Sequence, residues 1–208
     1  MQIILQNIKP AYMSEQEVKN SDIYLKEKLI FEKKSKYLIK ADSGKGKSSL
    51  LNFIYGSNSN FEGKIYYGEK YNDFIDFRNH KISYVFQDLK LFPLLSVFDN
   101  IELKNKLTRH KTTEEIDLWI KQVGLAGKRN ELVKNLSLGQ RQRVAILRSL
   151  CQAFDFILLD EPFSHLDENN INILTGIIKQ EVNNNEAGLI MTSLVEKNYF
   201  NFDKIFYL

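Results

Sequence analysis

The stretch that most constrains this chain covers residues 37–54, YLIKADSGKGKSSLLNFI. Tyr37, Leu38 and Ile39 make a short apolar run that reads as a buried strand. The chain then turns through Ala41, Asp42, Ser43, Gly44, Lys45, Gly46, Lys47 and Ser48. Beyond the turn, Ser49, Leu50, Leu51, Phe53 and Ile54 have the spacing of the first turns of a helix. A strand, a glycine-rich turn and a helix that opens on Gly-Lys-Ser together form a phosphate-binding P-loop. Polyphosphate needs many donors close together. Backbone N–H groups of a tight loop supply them, glycines let the backbone approach, and the helix N-terminus adds free N–H groups with partial positive charge. In this reading Lys47 reaches the β- and γ-phosphates, the Ser48 hydroxyl takes Mg2+, and residues 41–49 are the nucleotide-binding loop. Ala41 stands where the pattern has its first glycine, a place an alanine holds only with φ below zero. Taken alone, the stretch has one rival reading, a lysine-rich surface turn.

Composition bounds the rest. The chain has 208 residues, 43% hydrophobic and 26% charged, enough for one large α/β domain or one domain with a helical insert. The net charge of +3 is spread without a basic block, which argues against a nucleic-acid partner. The single cysteine, Cys151, lies among Leu150, Ala153 and Phe154 and reads as a core residue in a reducing compartment. Met1 opens a strand-like run rather than a signal peptide, and no apolar run approaches the roughly 18 residues that a membrane span needs.

In chain order, residues 2–8, 29–32, 63–68, 81–86, 155–160, 188–192 and 204–208 pattern as strands. Residues 94–135 pattern as helices joined by a charged linker, and 139–154 and 167–183 as amphipathic helices. Asn183, Asn184 and Asn185 read as a turn. Leu89, Leu91, Phe92, Leu94 and Leu95 are too apolar for a solvated loop and read as a docking run, the alternative being burial inside the helical part.

A second constellation follows the P-loop: LSLGQRQR at 136–143 and FILLDEP at 156–162. An apolar strand that ends in Asp-Glu has a mechanical meaning. Asp160 holds the water shell of Mg2+ beside Ser48, and Glu161 polarises an attacking water. A helix-capping acidic pair is the alternative.

The P-loop, Gln87 after a strand, LSLGQ, LLDEP and the SHLD of residues 164–167, in this order, resemble the ATP-binding cassette (ABC) ATPases over nearly the whole chain. The run from Phe86, Gln87, Asp88 and Leu89 through Pro93 to Asn100 and Ile101 is similar to cassettes of the lipoprotein-release, macrolide-export and cell-division type. The resemblance implies roles. Gln87 matches the Q-loop, which touches Mg2+ or water and couples to a membrane partner. Ser137, Gly139 and Gln140 match the signature motif, which contacts the γ-phosphate held by the opposite protomer. Asp167 matches the aspartate at the dimer interface, with His165 beside it. Tyr12 stands where an aromatic stacks on adenine, with Tyr24 and Phe31 as rivals. Two departures are visible: Leu138 where the signature has glycine, and Ser193 where the family has a catalytic histidine. His165 either approaches the phosphates across the dimer or is an interface histidine without a catalytic task.

The implied protein is a single α/β P-loop NTPase domain over residues 1–208, with a central mostly parallel sheet, an antiparallel β subdomain and a helical subdomain near 94–154. Two copies would sandwich two ATP–Mg2+ head to tail and drive a separate transmembrane permease from the inner face of the cytoplasmic membrane. The rivals are a cassette ATPase without a transport task and a weakly hydrolytic regulatory ATP-binding module.

Overall fold

The computed structural model describes residues 1–42, 44–68, 81–194 and 197–208, so Ser43 of the P-loop lies outside the described residues. The chain divides into two compact units. One comprises Met1–Tyr84, Phe154–Glu161 and Glu186–Leu208, the other Val85–Ala153 and Pro162–Asn185.

The first unit carries the sheets. β1 (Gln2–Pro10), β2 (Leu29–Glu32) and β4 (Phe61–Tyr67) form an antiparallel sheet in the order β2-β1-β4. Its register slips between Gln6 and Lys9, where Asn7 takes a φ of 50°, and Gly63 lies against that irregularity, so close that a Cβ there would collide with the Asn7 carbonyl. The second sheet runs β5-β6-β7-β3-β8, from β3 (Lys36–Lys40), β5 (Ile82–Val85), β6 (Phe156–Asp160), β7 (Gly188–Ser193) and β8 (Lys204–Tyr207). The β6–β7, β7–β3 and β3–β8 pairs are parallel. Every residue of β6 and β7 is buried, which accounts for the unbroken apolar runs of these strands. A short helix α1 (Glu15–Val18) interrupts the polar link between β1 and β2, and α2 (Lys47–Tyr55) follows β3.

The second unit is helical, with α3 (Val97–Thr108), α4 (Thr113–Gln122), α5 (Leu138–Ser149) and α6 (Glu168–Asn184). Ser96, Thr112, Ser137 and Asp167 cap their N-termini with side-chain oxygens. α5 stops at Ser149 rather than 154, because the Leu150 N–H turns back to the Leu147 and Arg148 carbonyls while Cys151 and Phe154 stay buried beyond the helix. Burial pushes the Cys151 thiol up to about 12, as a core cysteine requires. The asparagine run is helical where a turn is expected. Asn183 and Asn184 finish α6, Asn185 caps it through its own side chain on the Glu181 carbonyl (2.8 Å), and the reversal falls at Glu186, with a φ of 49°. Glu181, buried on α6, is held by the Lys111 ammonium at 2.9 Å. Among the described residues no helix is long and apolar enough to cross a membrane.

Gly188 opens β7 with no room for a side chain: a Cβ would stand 2.5 Å from the buried Phe156 ring and 2.9 Å from the Glu32 carbonyl. Gly188→Ala is expected to destabilise the protein by about 1–3 kcal/mol through overpacking, read as a lower denaturant midpoint with an unchanged slope.

Candidate active site

Register places the site. In the parallel sheet Lys40 lies opposite Ser193, and Thr192 lies between Ile39 on one side and Asp160 on the other. The carboxyl ends of β3, β7 and β6 are therefore level, at the edge where open α/β sheets take their ligands. From that edge β3 delivers the P-loop, β7 ends on Ser193, and β6 delivers Asp160 and Glu161.

The P-loop turns on two left-handed glycines, Gly44 at φ 78° and Gly46 at φ 87°. Gly46 caps α2, and a Cβ there would also press on the Tyr24 hydroxyl at 2.8 Å. Ala41 stays outside the positive-φ residues, as its side chain requires. Asp42 and Lys45 are exposed, while Ser48 and Ser49 are half-buried. Lys47 is buried, its ammonium donating to the Ala41 carbonyl at 2.6 Å and the Asp42 carbonyl at 3.0 Å. A carboxylate oxygen of Glu161 lies 3.3 Å from the same nitrogen. Glu161 holds a φ of 47°, unusual for a residue with a side chain.

Asp160 is buried and accepts hydrogen bonds from Ser48 and Thr192. Burial pushes its carboxyl above the usual range, with the neighbouring Glu161 charge adding to the rise and the two hydrogen bonds and Lys47 opposing it. Along the sequence Thr192 is only the end of a strand. Its hydroxyl lies 2.7 Å from Asp160 Oδ1 and accepts the Glu161 N–H at 3.1 Å. A polar residue closing the apolar run GLIMT is the mark it leaves in the sequence. Ser193 is buried beside it.

Of the three aromatics considered for adenine, Phe31 is packed edge-on to Tyr37 in the core and Tyr24 is buried with its hydroxyl on the Gly46 carbonyl. Tyr12 is 56% exposed, and its hydroxyl meets Ser49 of α2 at 2.6 Å.

Gln87, Ser137, Gly139, Gln140, His165 and Asp167 belong to the helical unit. Ser137 and Gln140 satisfy each other's backbone N–H groups as a capping box on α5. Leu138 is exposed, and Gly139 packs against the His165 carbonyl, 2.6 Å from where a Cβ would sit. Gly139 thus has a packing reason to be glycine that no neighbour in the sequence reveals. Buried Gln142 accepts the His165 N–H at 3.2 Å, and His165 Nδ1 pairs with the Ser164 hydroxyl at 2.8 Å. Asp167 caps α6, and the hydrogen bonds from Asn170 hold its carboxyl below the usual range. Gln87 is exposed.

The family model described as ABC transporter matches residues 26–164, more than half of the chain. The chain belongs to the ABC transporter family. It is 40% identical, over 128 residues and 60% of its length, to the Fe(3+) ions import ATP-binding protein FbpC of Fusobacterium nucleatum subsp. nucleatum. This cassette spans about a third of that relative, 34% of its length. Its fold matches the dimeric post-hydrolysis structure of the ATP-binding cassette MJ0796 bound to ADP and Pi, with a TM-score of 0.77, 25% identity, and 99% of this chain and 94% of that one covered. The archaeal ribosome recycling factor aABCE1, solved with the ribosomal stalk protein aP1, shares the fold at a TM-score of 0.65 and 23% identity, over 80% of this chain and 30% of that one. The curated relative is named for import, whereas the sequence resembles cassettes of release and export; they agree on the family and differ on the direction.

The raised Asp160 carboxyl has a consequence for stability. The folded protein binds this proton more tightly than the unfolded chain, whose ordinary value is 3.8, so ionised Asp160 weakens the fold at neutral pH and the burden is lifted as pH falls through the raised value. Asp160→Asn is expected to raise the melting temperature at pH 7, with the gain shrinking toward acid pH in a calorimetric series.

Proposed function

We propose that this chain is the ATP-binding and hydrolysing subunit of an ABC transporter-type membrane complex, in which ATP-driven closure of a dimer powers a separate transmembrane permease. The observation that carries the reading is the meeting of Lys47, Ser48, Asp160 and Glu161 at one sheet edge. Lys47 is the phosphate-binding cation. Its present partners are oxygens, two carbonyls and a carboxylate, the same donor preference that β- and γ-phosphate oxygens satisfy. Glu161 is the base that takes a proton from the attacking water as that water bonds to the γ-phosphorus and ADP leaves. The loop amides from Ala41 to Ser49, Ser43 included, cradle the phosphates, and Tyr12 stacks on the adenine.

A hydroxyl and a carboxylate in hydrogen-bond contact, Ser48 and Asp160, are hard oxygen donors and fit Mg2+. The Q-loop resemblance makes Gln87 a further candidate for the metal. When bound, Mg2+ neutralises charge on the phosphate oxygens.

In this reading residues 1–208 are one cassette domain with its helical subdomain near 94–154. Ser137, Gly139 and Gln140 act on the nucleotide of the opposite protomer of a homodimer, and Asp167 and His165 line that interface. The permease docks on the helical unit, where Phe92 is 50% and Leu94 72% exposed. A cavity of about 270 Å3 adjoins them, lined by Gln87, Leu91, Pro93, Lys134, Leu138 and Arg141 among others. Leu89 drops out of the docking run: it is buried, and its carbonyl accepts from Arg148 at 2.8 Å. The permease places the cassette on the inner face of the cytoplasmic membrane, and nucleic acid has no part.

Lys47→Ala is expected to weaken ATP binding at least about tenfold in titration calorimetry. Glu161→Gln is expected to keep ATP binding, lower hydrolysis by about 10² and accumulate an ATP-bound dimer in light scattering. A Glu161→Gln protein that stays monomeric at saturating ATP–Mg2+ contradicts the head-to-tail pair.

Ser193 favours a second reading, a cassette that turns over slowly without its membrane partner. A serine hydroxyl is shorter than imidazole and carries no charge, so the spreading phosphoryl charge is less stabilised. Slow basal turnover is expected, raised by Ser193→His and little changed by His165→Ala in a phosphate-release assay. Brisk turnover that collapses on His165→Ala assigns the catalytic histidine to His165 instead.

A further inference from the structure

We propose that Thr192 is a positioning residue of the hydrolytic site: one hydroxyl sets both the carboxylate of Asp160 and the backbone turn that aims Glu161. The inference deepens the ATPase reading and rests on it.

Thr192 is fully buried and lies directly opposite Asp160 in the β6–β7 register. Its hydroxyl has one proton and three neighbours: Asp160 Oδ1 at 2.7 Å, the Leu159 carbonyl at 3.4 Å and the Glu161 N–H at 3.1 Å. The proton goes to the nearer, charged acceptor. The oxygen lone pairs then take the Glu161 N–H. The hydroxyl therefore acts as donor to one working residue and acceptor from the next.

Each bond has a distinct task. The first orients Asp160, whose carboxylate also accepts from Ser48, so Thr192 fixes the carboxylate that pairs with the other oxygen donor proposed for Mg2+. The second satisfies a backbone N–H at the residue where the chain takes the left-handed φ of 47°. That turn carries the Glu161 carboxylate to 3.3 Å from Lys47. The bond opposes the return of Glu161 to an ordinary φ, which would swing the base away. The β-branched carbons of Thr192 fill the buried space, and valine fills the same space without the hydroxyl.

The test uses the full chain as wild type, Thr192→Val and Thr192→Ser, with ATP affinity measured in Mg2+ and in EDTA, and turnover beside it. Thr192→Val is expected to keep the EDTA affinity within about twofold, to lose about tenfold of the Mg2+-dependent gain in affinity, and to lose at least about tenfold in turnover. Thr192→Ser, which keeps the hydroxyl, is expected to restore both to within about threefold. A wild-type Mg2+ gain and turnover in Thr192→Val overturns the proposal. So does a Thr192→Ser as impaired as Thr192→Val, which assigns the effect to the lost methyl. If Thr192→Val does not fold, Thr192→Cys, with a weak donor of similar size, replaces it under the same outcomes. A wild-type chain that binds no ATP, or a Lys47→Ala chain that binds as well as wild type, overturns the ATPase reading itself, whereas wild-type binding with an unaltered Thr192→Val overturns only the positioning role.

Discussion

A buried ammonium is costly unless oxygen surrounds it, and the placement of Lys47 governs much of the first unit. Its three oxygen partners come from two places in the chain: Ala41 and Asp42 from the loop itself, Glu161 from the far end of β6. Beyond those carbonyls Gly44 and Gly46 take left-handed φ values, and the chain enters α2 at Lys47. Glu161 reaches the nitrogen because β6 and β3 flank β7 in matched register. A slip of one residue in either pairing would turn Asp160 and Thr192 to the other face of the sheet and part them.

The same site concentrates features that work against stability. Asp160 is an ionisable group held in the interior with its carboxyl pushed above the usual range, and Glu161 occupies a backbone region disfavoured for side-chain-bearing residues. Strain and buried charge persist where the surrounding structure over-determines them. Here that surrounding is β7, wholly buried from Gly188 to Ser193, with its Thr192 hydroxyl binding both residues of the strained turn.

In the helical unit, polar contacts add to an apolar core that includes Val97, Ile101, Ile116, Val144, Leu147 and Leu174. Arg143 spans from the Val123 carbonyl at 2.6 Å to Asn170 on α6 at 3.0 Å, and Arg148 takes the carbonyls of Leu89 and Lys90, both of which have positive φ. The signature-like run and the SHLD segment are joined through Gly139 and Gln142 against His165. Residues matched to nucleotide contact thus serve the internal build of the unit as well: Ser137 and Gln140 cap a helix, and Gly139 makes room for a neighbouring carbonyl.

What the sequence determined by itself was the local part. A loop whose glycines must turn left-handed, capping residues before helices, and apolar runs for buried strands depend on neighbours a few positions away, so they are legible along the chain. The order of the motifs was equally legible, and with it the family. Tertiary structure alone decided what depends on residues far apart. Thr192 meets Asp160 across 32 positions, and neither residue type announces the other until strand order is known. Tyr12 parts from Tyr24 and Phe31 only by exposure, Leu89 from its apolar neighbours only by burial, and Gly139 draws its packing reason from a carbonyl in a distant segment. The asparagine run shows the limit from the other side. Its residues favour turns, but the buried face of α6 carries the helix through Asn183 and Asn184, because packing outweighs the weak local preference of a few side chains.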